Sequence, residues 1–229
     1  MINLRPVLQR IENACEASER KAESVGLLAV SKTFDADAIR QAAALGQRRF
    51  GENYLQEARA KQTELADLPL EWHFIGPIQS NKTREIAEHF SWVHSVDRER
   101  IARRLHEARP AHLPPLNVCV QVNISAEASK SGCSPEQTRA LCEFVHSQPG
   151  LKLRGLMAIP AVTSDVARAR ASYERLATLF HELKSQGMPL DTLSAGMSGD
   201  LELAIAHGAT LVRVGSAIFG NRKTGTAHQ

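Results

Sequence analysis

The sequence predicts an α/β fold, a (β/α)8 barrel of the TIM type with an extra helix at its N-terminus. Eight short apolar runs alternate with capped helical patterns, the rhythm of a parallel sheet. Eight is the strand number that closes a barrel. No G-x-G-x-x-G follows the first run, which weighs against the doubly wound alternative.

The opening segment carries Leu4, Leu8, Ile11 and Cys15 at helical spacing and is read as an amphipathic helix. The predicted strands are 27–32 (LLAVSK), 48–53 (RRFGEN), 71–76 (EWHFIG), 91–96 (SWVHSV), 116–124 (LNVCVQVNI), 153–159 (LRGLMAI), 192–196 (TLSAG) and 211–219 (LVRVGSAIF). Asp35 opens the helix after the first strand and Gly46 closes it, while Asn81 and Asp97 are the expected N-caps further on. Ser134, Pro135 and Gln137 form a capping box with proline in the first turn. Gly187 and Gly208 stand where helices end.

Composition narrows the function. The 229 residues, 43% apolar, suffice for one domain spanning 1–229, since no linker or low-complexity tract divides them. A net charge of +3 with 5% aromatics, and no interleaving of basic and aromatic residues, argues against a nucleic-acid partner. The four cysteines form no C-x-x-C pair and the histidines no metal-binding spacing, so reduced thiols and no metal are expected. No run suits a membrane span, and the charge-interrupted N-terminus lacks a signal peptide's apolar core, so the cytoplasm is the expected compartment.

In a barrel, chemistry gathers at the C-terminal ends of the strands. Reading those ends gives Lys32, Asn53, His73, Met157, Ser198 just past strand seven, and Arg213, Gly215 and Ser216 in strand eight. Side-chain alternation sends Val212 and Val214 toward the helices and Arg213 inward. An inward arginine needs an acceptor, either a ligand or a carboxylate such as Glu52 or Asp97. Ser198, read at a helix start, and the main-chain N–H groups of Gly215 and Ser216 outline a phosphate pocket; alone, Ser198 reads equally as an N-cap and Gly215 as a packing glycine. His73, between Trp72 and Phe74, suits a hydrogen-bonded core histidine as well as a ligand contact. Lys32 ends a buried run. Held near apolar walls and cations, its amine is the candidate to condense with an aldehyde, the alternative being a solvated strand end. A phosphate pocket beside such a lysine suggests pyridoxal 5′-phosphate. Lys82 and Lys130 are rival amines, both in polar surroundings.

The segments AVSK, FGENYLQEA, WHFIGPIQSNK, VQVNISAEASKSG, GLMAIP and LSAGMSGDLELAIAHGATLVRVGSAIFG together resemble the YggS/PROSC family of pyridoxal phosphate-binding homeostasis proteins. The resemblance implies a barrel similar to the N-terminal domain of alanine racemase. It implies that Lys32 carries the cofactor as a Schiff base, that Ser198, Gly215 and Ser216 hold its phosphate, that Arg213 faces the pyridine nitrogen, and that Asn53, His73 and Met157 line the ring. Ala195 stands where the family's M-G-M-S-x-D pattern has Met, with Ser198 and Asp200 retained. The implied role is storage, delivery or buffering of the cofactor by a monomer, with apoenzymes as recipients and no turnover. A small racemase is the alternative, and a barrel for another phosphorylated metabolite a third. Racemisation needs a base on each face of the cofactor, a tyrosine from a C-terminal domain in alanine racemases. Here only Tyr54 and Tyr173 exist, the latter read as mid-helix packing.

Overall fold

The computed structural model describes residues 2–125, 131–161, 163 and 165–220. Eight parallel strands close in sequence order into a barrel, β1 (Gly26–Val30), β2 (Arg49–Glu52), β3 (Glu71–Phe74), β4 (Trp92–Val96), β5 (Leu116–Gln121), β6 (Leu151–Met157), β7 (Thr192–Ser194) and β8 (Leu211–Val214), with β8 pairing back on β1. The helices on the outer face are α2 (Ala36–Ala44), α3 (Leu55–Glu64), α4 (Thr83–His89), α5 (Glu99–Ala108), α6 (Pro135–His146), α7 (Val166–Ser185) and α8 (Leu201–Ala206). The extra helix α1 (Leu4–Ala17) packs on α8 and on the four-residue α9 (Ser216–Phe219). Its buried stripe is Leu4, Val7, Ile11, Ala14 and Cys15, and Leu8 stands at the edge, 39% exposed, which shifts the expected face by one position.

Strand eight is shorter than its apolar run. Gly26 to Ala29 pair with Leu211 to Val214, and past Val214 the chain turns, so SAIF coils into α9 instead of extending the sheet. Strand five likewise ends at Gln121, and Val122 makes one isolated bridge to Cys133. Asp35 caps α2 by accepting from the Ala38 N–H at 2.9 Å, and Ser134 with Gln137 closes the predicted capping box. Asp35→Ala is expected to lower the unfolding free energy by about 1 kcal/mol, read as a shift of the urea midpoint at unchanged m. Gly46, Gly187 and Gly208 hold φ of +99°, +91° and +91° behind their helices, where a side chain would be strained. Asn81 and Asp97 do not cap. Asn81 lies in a 3-10 turn before α4, and the Asp97 carboxylate accepts from Arg98 at 2.6 Å. Cys15, Cys119, Cys133 and Cys142 are buried free thiols, and burial pushes Cys142 up to about 12.

Candidate functional site

Outward strand residues such as Val212, Val214, Leu153 and Leu156 join the helices in one apolar layer. The interior is different. Trp92, Cys119 and Met157 form a small separate cluster, and His73, His94, Ser194 and Arg213 are buried polar groups. Barrel interiors are mostly filled by branched apolar residues, so each of these needs a partner.

At the strands' C-terminal end lies a cavity of about 300 Å³. It brings together Lys32, Asn53, Ser198, Arg213, Gly215 and Ser216, with Phe34, Ile75 and Ile159 as apolar wall. Arg213 points inward as its parity requires, but among the described residues no carboxylate pairs with it. Its NH1 donates to the Ser194 carbonyl at 2.6 Å and to Ser194 Oγ at 2.8 Å, and its NH2 donates to the Ala158 carbonyl at 2.9 Å. The ion pair with Glu52 or Asp97 is thereby excluded. A guanidinium cannot shed its charge, so a cation held by neutral oxygens faces the cavity. The Ser198 and Ser216 hydroxyls lie 3.3 Å apart on the adjacent wall. Ser198 is neither helix start nor N-cap, because α8 begins at Leu201 behind Asp200. Arg10 on α1 steadies this wall, donating to the Ser198 carbonyl at 3.0 Å and to both oxygens of Glu202. The loop is also tied from within, where Asp200 accepts from the Met197 N–H at 2.6 Å and from the Tyr173 hydroxyl at 2.6 Å. Gly215 approaches β1 closely, since a Cβ there would meet the Val30 carbonyl at 3.0 Å. Asn53 places a buried Oδ1 without a partner at the cavity.

Two expected ring contacts are elsewhere. His73 sits at the third position of β3 and belongs to the opposite face, where a second cavity opens between Arg49, Glu71, Trp92, Arg154 and Asp191. The inward position that reaches the mouth from β3 is Ile75, two residues on. His73 instead stacks on Trp92 with centroids 5.2 Å apart. Met157 is fully buried beside Trp92 and Cys119 and does not line the mouth. Lys82 pairs with Glu85 at 3.3 Å and also lies outside the cavity, while Lys130 falls outside the described residues.

Lys32 is half-buried, and its backbone is held from both sides. Lys61 of α3 donates to the Ser31 carbonyl at 2.8 Å and to Glu52 Oε1 at 2.8 Å, and Glu57 accepts from the Thr33 N–H at 2.5 Å. Thr33 takes a φ of +70°, unusual for a β-branched residue. Sequence reasoning missed this clamp, and it missed Ser194 and His94. A signal existed for the latter pair, because TLS, WVHS and LVRV each set a polar residue at the inward position of an apolar strand. An amine, a cation, two hydroxyls and an apolar wall at one cavity suit a small anionic molecule with an electrophilic carbon.

A family model described as alanine racemase, N-terminal domain, matches residues 7–223. The pyridoxal phosphate homeostasis protein of Pseudomonas aeruginosa is 62% identical over 223 residues, 97% of this chain and 96% of that protein. The chain belongs to the pyridoxal phosphate homeostasis protein family. The Escherichia coli K12 family member is 52% identical over 223 residues, covering 96% of this chain and 95% of its own length. Among solved structures, PipY of Synechococcus elongatus with pyridoxal phosphate bound is 41% identical, with a TM-score of 0.80 over 93% of this chain and 100% of PipY. Alanine racemase from Corynebacterium glutamicum shares the barrel alone, at 16% identity and a TM-score of 0.68 over 64% of the racemase. Arg10 lies inside the matched span. Arg10→Ala is expected to weaken retention of a ligand at the serine wall by about 5-fold while moving stability by less than about 1 kcal/mol, as an exposed pair does; titration calorimetry and urea melts read the two.

Proposed function

We propose that this chain binds pyridoxal 5′-phosphate through Lys32 and serves homeostasis of that cofactor by storing, delivering or buffering it, without turnover of its own. The carrying observation is the single cavity that joins Lys32 to Arg213, Asn53, Ser198, Gly215 and Ser216. The fit is supported by the paired hydroxyls at 3.3 Å, by a cation whose partners are neutral, and by the unpartnered Asn53 Oδ1.

When bound, the cofactor supplies an aldehyde for a lysine and an electron sink for amino-acid chemistry. The chain's own residues limit that sink. Arg213 is a permanent donor, so a ring nitrogen placed against it would accept a hydrogen bond and remain unprotonated. Ser198 and Ser216 would hold the phosphate, and Phe34 with Ile75 and Ile159, which wall the same cavity, would keep water from part of the ring. Tyr173 is committed to Asp200, and burial raises its pKa, so it retains its proton. Tyr54 is 56% exposed and does not line the cavity. Neither tyrosine stands as a second base, which favours a holder over a racemase. Apoenzymes that require the cofactor are the partners this role calls for, and the proposal places a single chain in the cytoplasm. No described helix is long and apolar enough to cross a membrane.

The test joins two measurements on purified protein incubated with the cofactor. Borohydride reduction and peptide mapping are expected to find a pyridoxyl group on Lys32; absence of any adduct overturns the assignment. Incubation of L- and D-amino acids in deuterium oxide is expected to show no α-exchange above free cofactor, and exchange abolished by Lys32→Ala would make the chain an enzyme.

A further inference from the structure

A continuous line of polar contacts runs through the barrel from the Lys32 cavity to the opposite face. Arg213 NH1 donates to Ser194 Oγ at 2.8 Å, and Ser194 Oγ lies 2.9 Å from His94 Nδ1. His94 Nε2 lies 2.9 Å from His73 Nδ1, and His73 Nε2 lies 2.8 Å from Glu71 Oε1. Four strands supply the interior members, β8, β7, β4 and β3, and Glu71 opens β3 at the rim of the second cavity. Nothing in the cofactor reading uses the two histidines.

The carboxylate end of the line dictates which nitrogen carries each proton. A guanidinium only donates and a carboxylate only accepts. Ser194 Oγ therefore accepts from Arg213 and has its hydrogen free for His94 Nδ1. His94 then carries its proton on Nε2 and donates to His73 Nδ1, and His73 donates from Nε2 to Glu71. Every member is satisfied in one direction only. Reversal would leave two acceptors facing each other at Glu71; the Ser194 oxygen has lone pairs for both Arg213 and His94, so it is the carboxylate end that sets the direction. Burial lowers the pKa of both imidazoles, most strongly at His94, which keeps the rings neutral as the line requires. The His73 hydrogen bond in turn holds the Glu71 carboxyl below its usual range.

We propose that His94 and His73 are positioning residues for Arg213, forming with Ser194 a one-directional relay that fixes the guanidinium at the cofactor cavity and couples it to Glu71 on the opposite face of the barrel. The proposal rests on the reading that Arg213 faces the bound cofactor. It makes a half-exposed carboxylate at the far end of the barrel a determinant of cofactor binding.

The experiment uses the full chain labelled with 15N-histidine. In the ligand-free protein, both rings are expected in the neutral Nε2–H form; an imidazolium or an Nδ1–H ring at either position overturns the relay. Glu71→Lys replaces the terminal acceptor by a donor and is expected to flip both rings to Nδ1–H, whereas Glu71→Gln, which can still accept, leaves them unchanged. Ser194→Ala cuts the line beside Arg213 and leaves the ring forms in place. Glu71→Lys and Ser194→Ala are each expected to raise the pyridoxal phosphate dissociation constant by about 5-fold or more, the lower bound for coupled sites, and Glu71→Gln to raise it by less than 2-fold, roughly the scatter of a surface change. Flipped rings with an unchanged dissociation constant would reduce the line to packing and sink the proposal. Failure of the unmutated chain to bind the cofactor at all would instead refute the cofactor reading, with the ring forms still on record from the ligand-free spectrum.

Discussion

Lys61→Met is expected to cost about 3–5 kcal/mol of stability, the penalty of leaving a buried carboxylate without its counter-ion. Lys61 is almost fully buried and spends its three donors on the Ser31 carbonyl, Glu52 and Glu57, at 2.8, 2.8 and 2.5 Å. Without it, Glu52 keeps, among the described residues, the Ser31 hydroxyl at 2.6 Å alone, and its Oε2 already lacks a partner. Burial is the main influence on Glu52 and raises its pKa, opposed chiefly by Lys61. The sign of the pH dependence follows. A carboxyl whose folded pKa lies above its unfolded value stabilises most at low pH, where both states hold the proton, and loses that contribution as pH rises through the folded pKa. Removing Lys61 removes the opposition, so the deficit of the variant is smallest in acid and grows toward neutrality. Urea melts at pH 5 and pH 8 read this, and equal midpoints for variant and wild type at pH 8 would refute it. Lys61→Met combined with Glu52→Gln is expected to recover most of the loss, because both charges leave together.

Lys32→Ala is expected to abolish covalent capture of pyridoxal phosphate. The visible absorption of the reconstituted protein should vanish, and borohydride should leave no pyridoxyl group on the chain. Wild type at a hundredfold excess of cofactor over its dissociation constant gains about 2.7 kcal/mol of apparent stability, and the variant should lose most of that increment. Fold integrity is the control, since Lys32 is only half-buried and the clamp on its neighbours runs through main-chain atoms of Ser31 and Thr33. A variant that kept both the absorption band and the stabilisation would move the linkage to another amine and undo the functional reading.

The two results probe different parts of one arrangement. Glu52, Lys61 and Glu57 lie between β2 and α3, outside the barrel, yet their hydrogen bonds end on the residues either side of Lys32. Loosening that cluster is expected to act on binding only through the position of the amine, whereas removing the amine acts directly.

The sequence alone determined the eight-strand alternation, the extra helix, the capping box at Ser134, the αL glycines and the inward parity of Arg213, because these follow from periods of 3.6 and 2 and from the chemistry of single residues. Six of the eight residues it proposed for the site do line one cavity. Depth within the barrel was not legible. His73 and Ile75 share an inward parity, and only the stagger between neighbouring strands decides that Ile75 reaches the mouth while His73 faces the opposite cavity. The end of strand eight was likewise decided by pairing, since SAIF is as apolar as a strand but follows the last residues matched to β1. Apart from His73–Glu71 and Lys61–Glu57, which are local, the partners of Arg213, the clamp on Lys32 and the line of contacts through the interior join residues 9 to 100 positions apart in the chain. A local pattern carries no record of such distances; closing the sheet is what brings the groups within reach, and burial is what obliges them to pair.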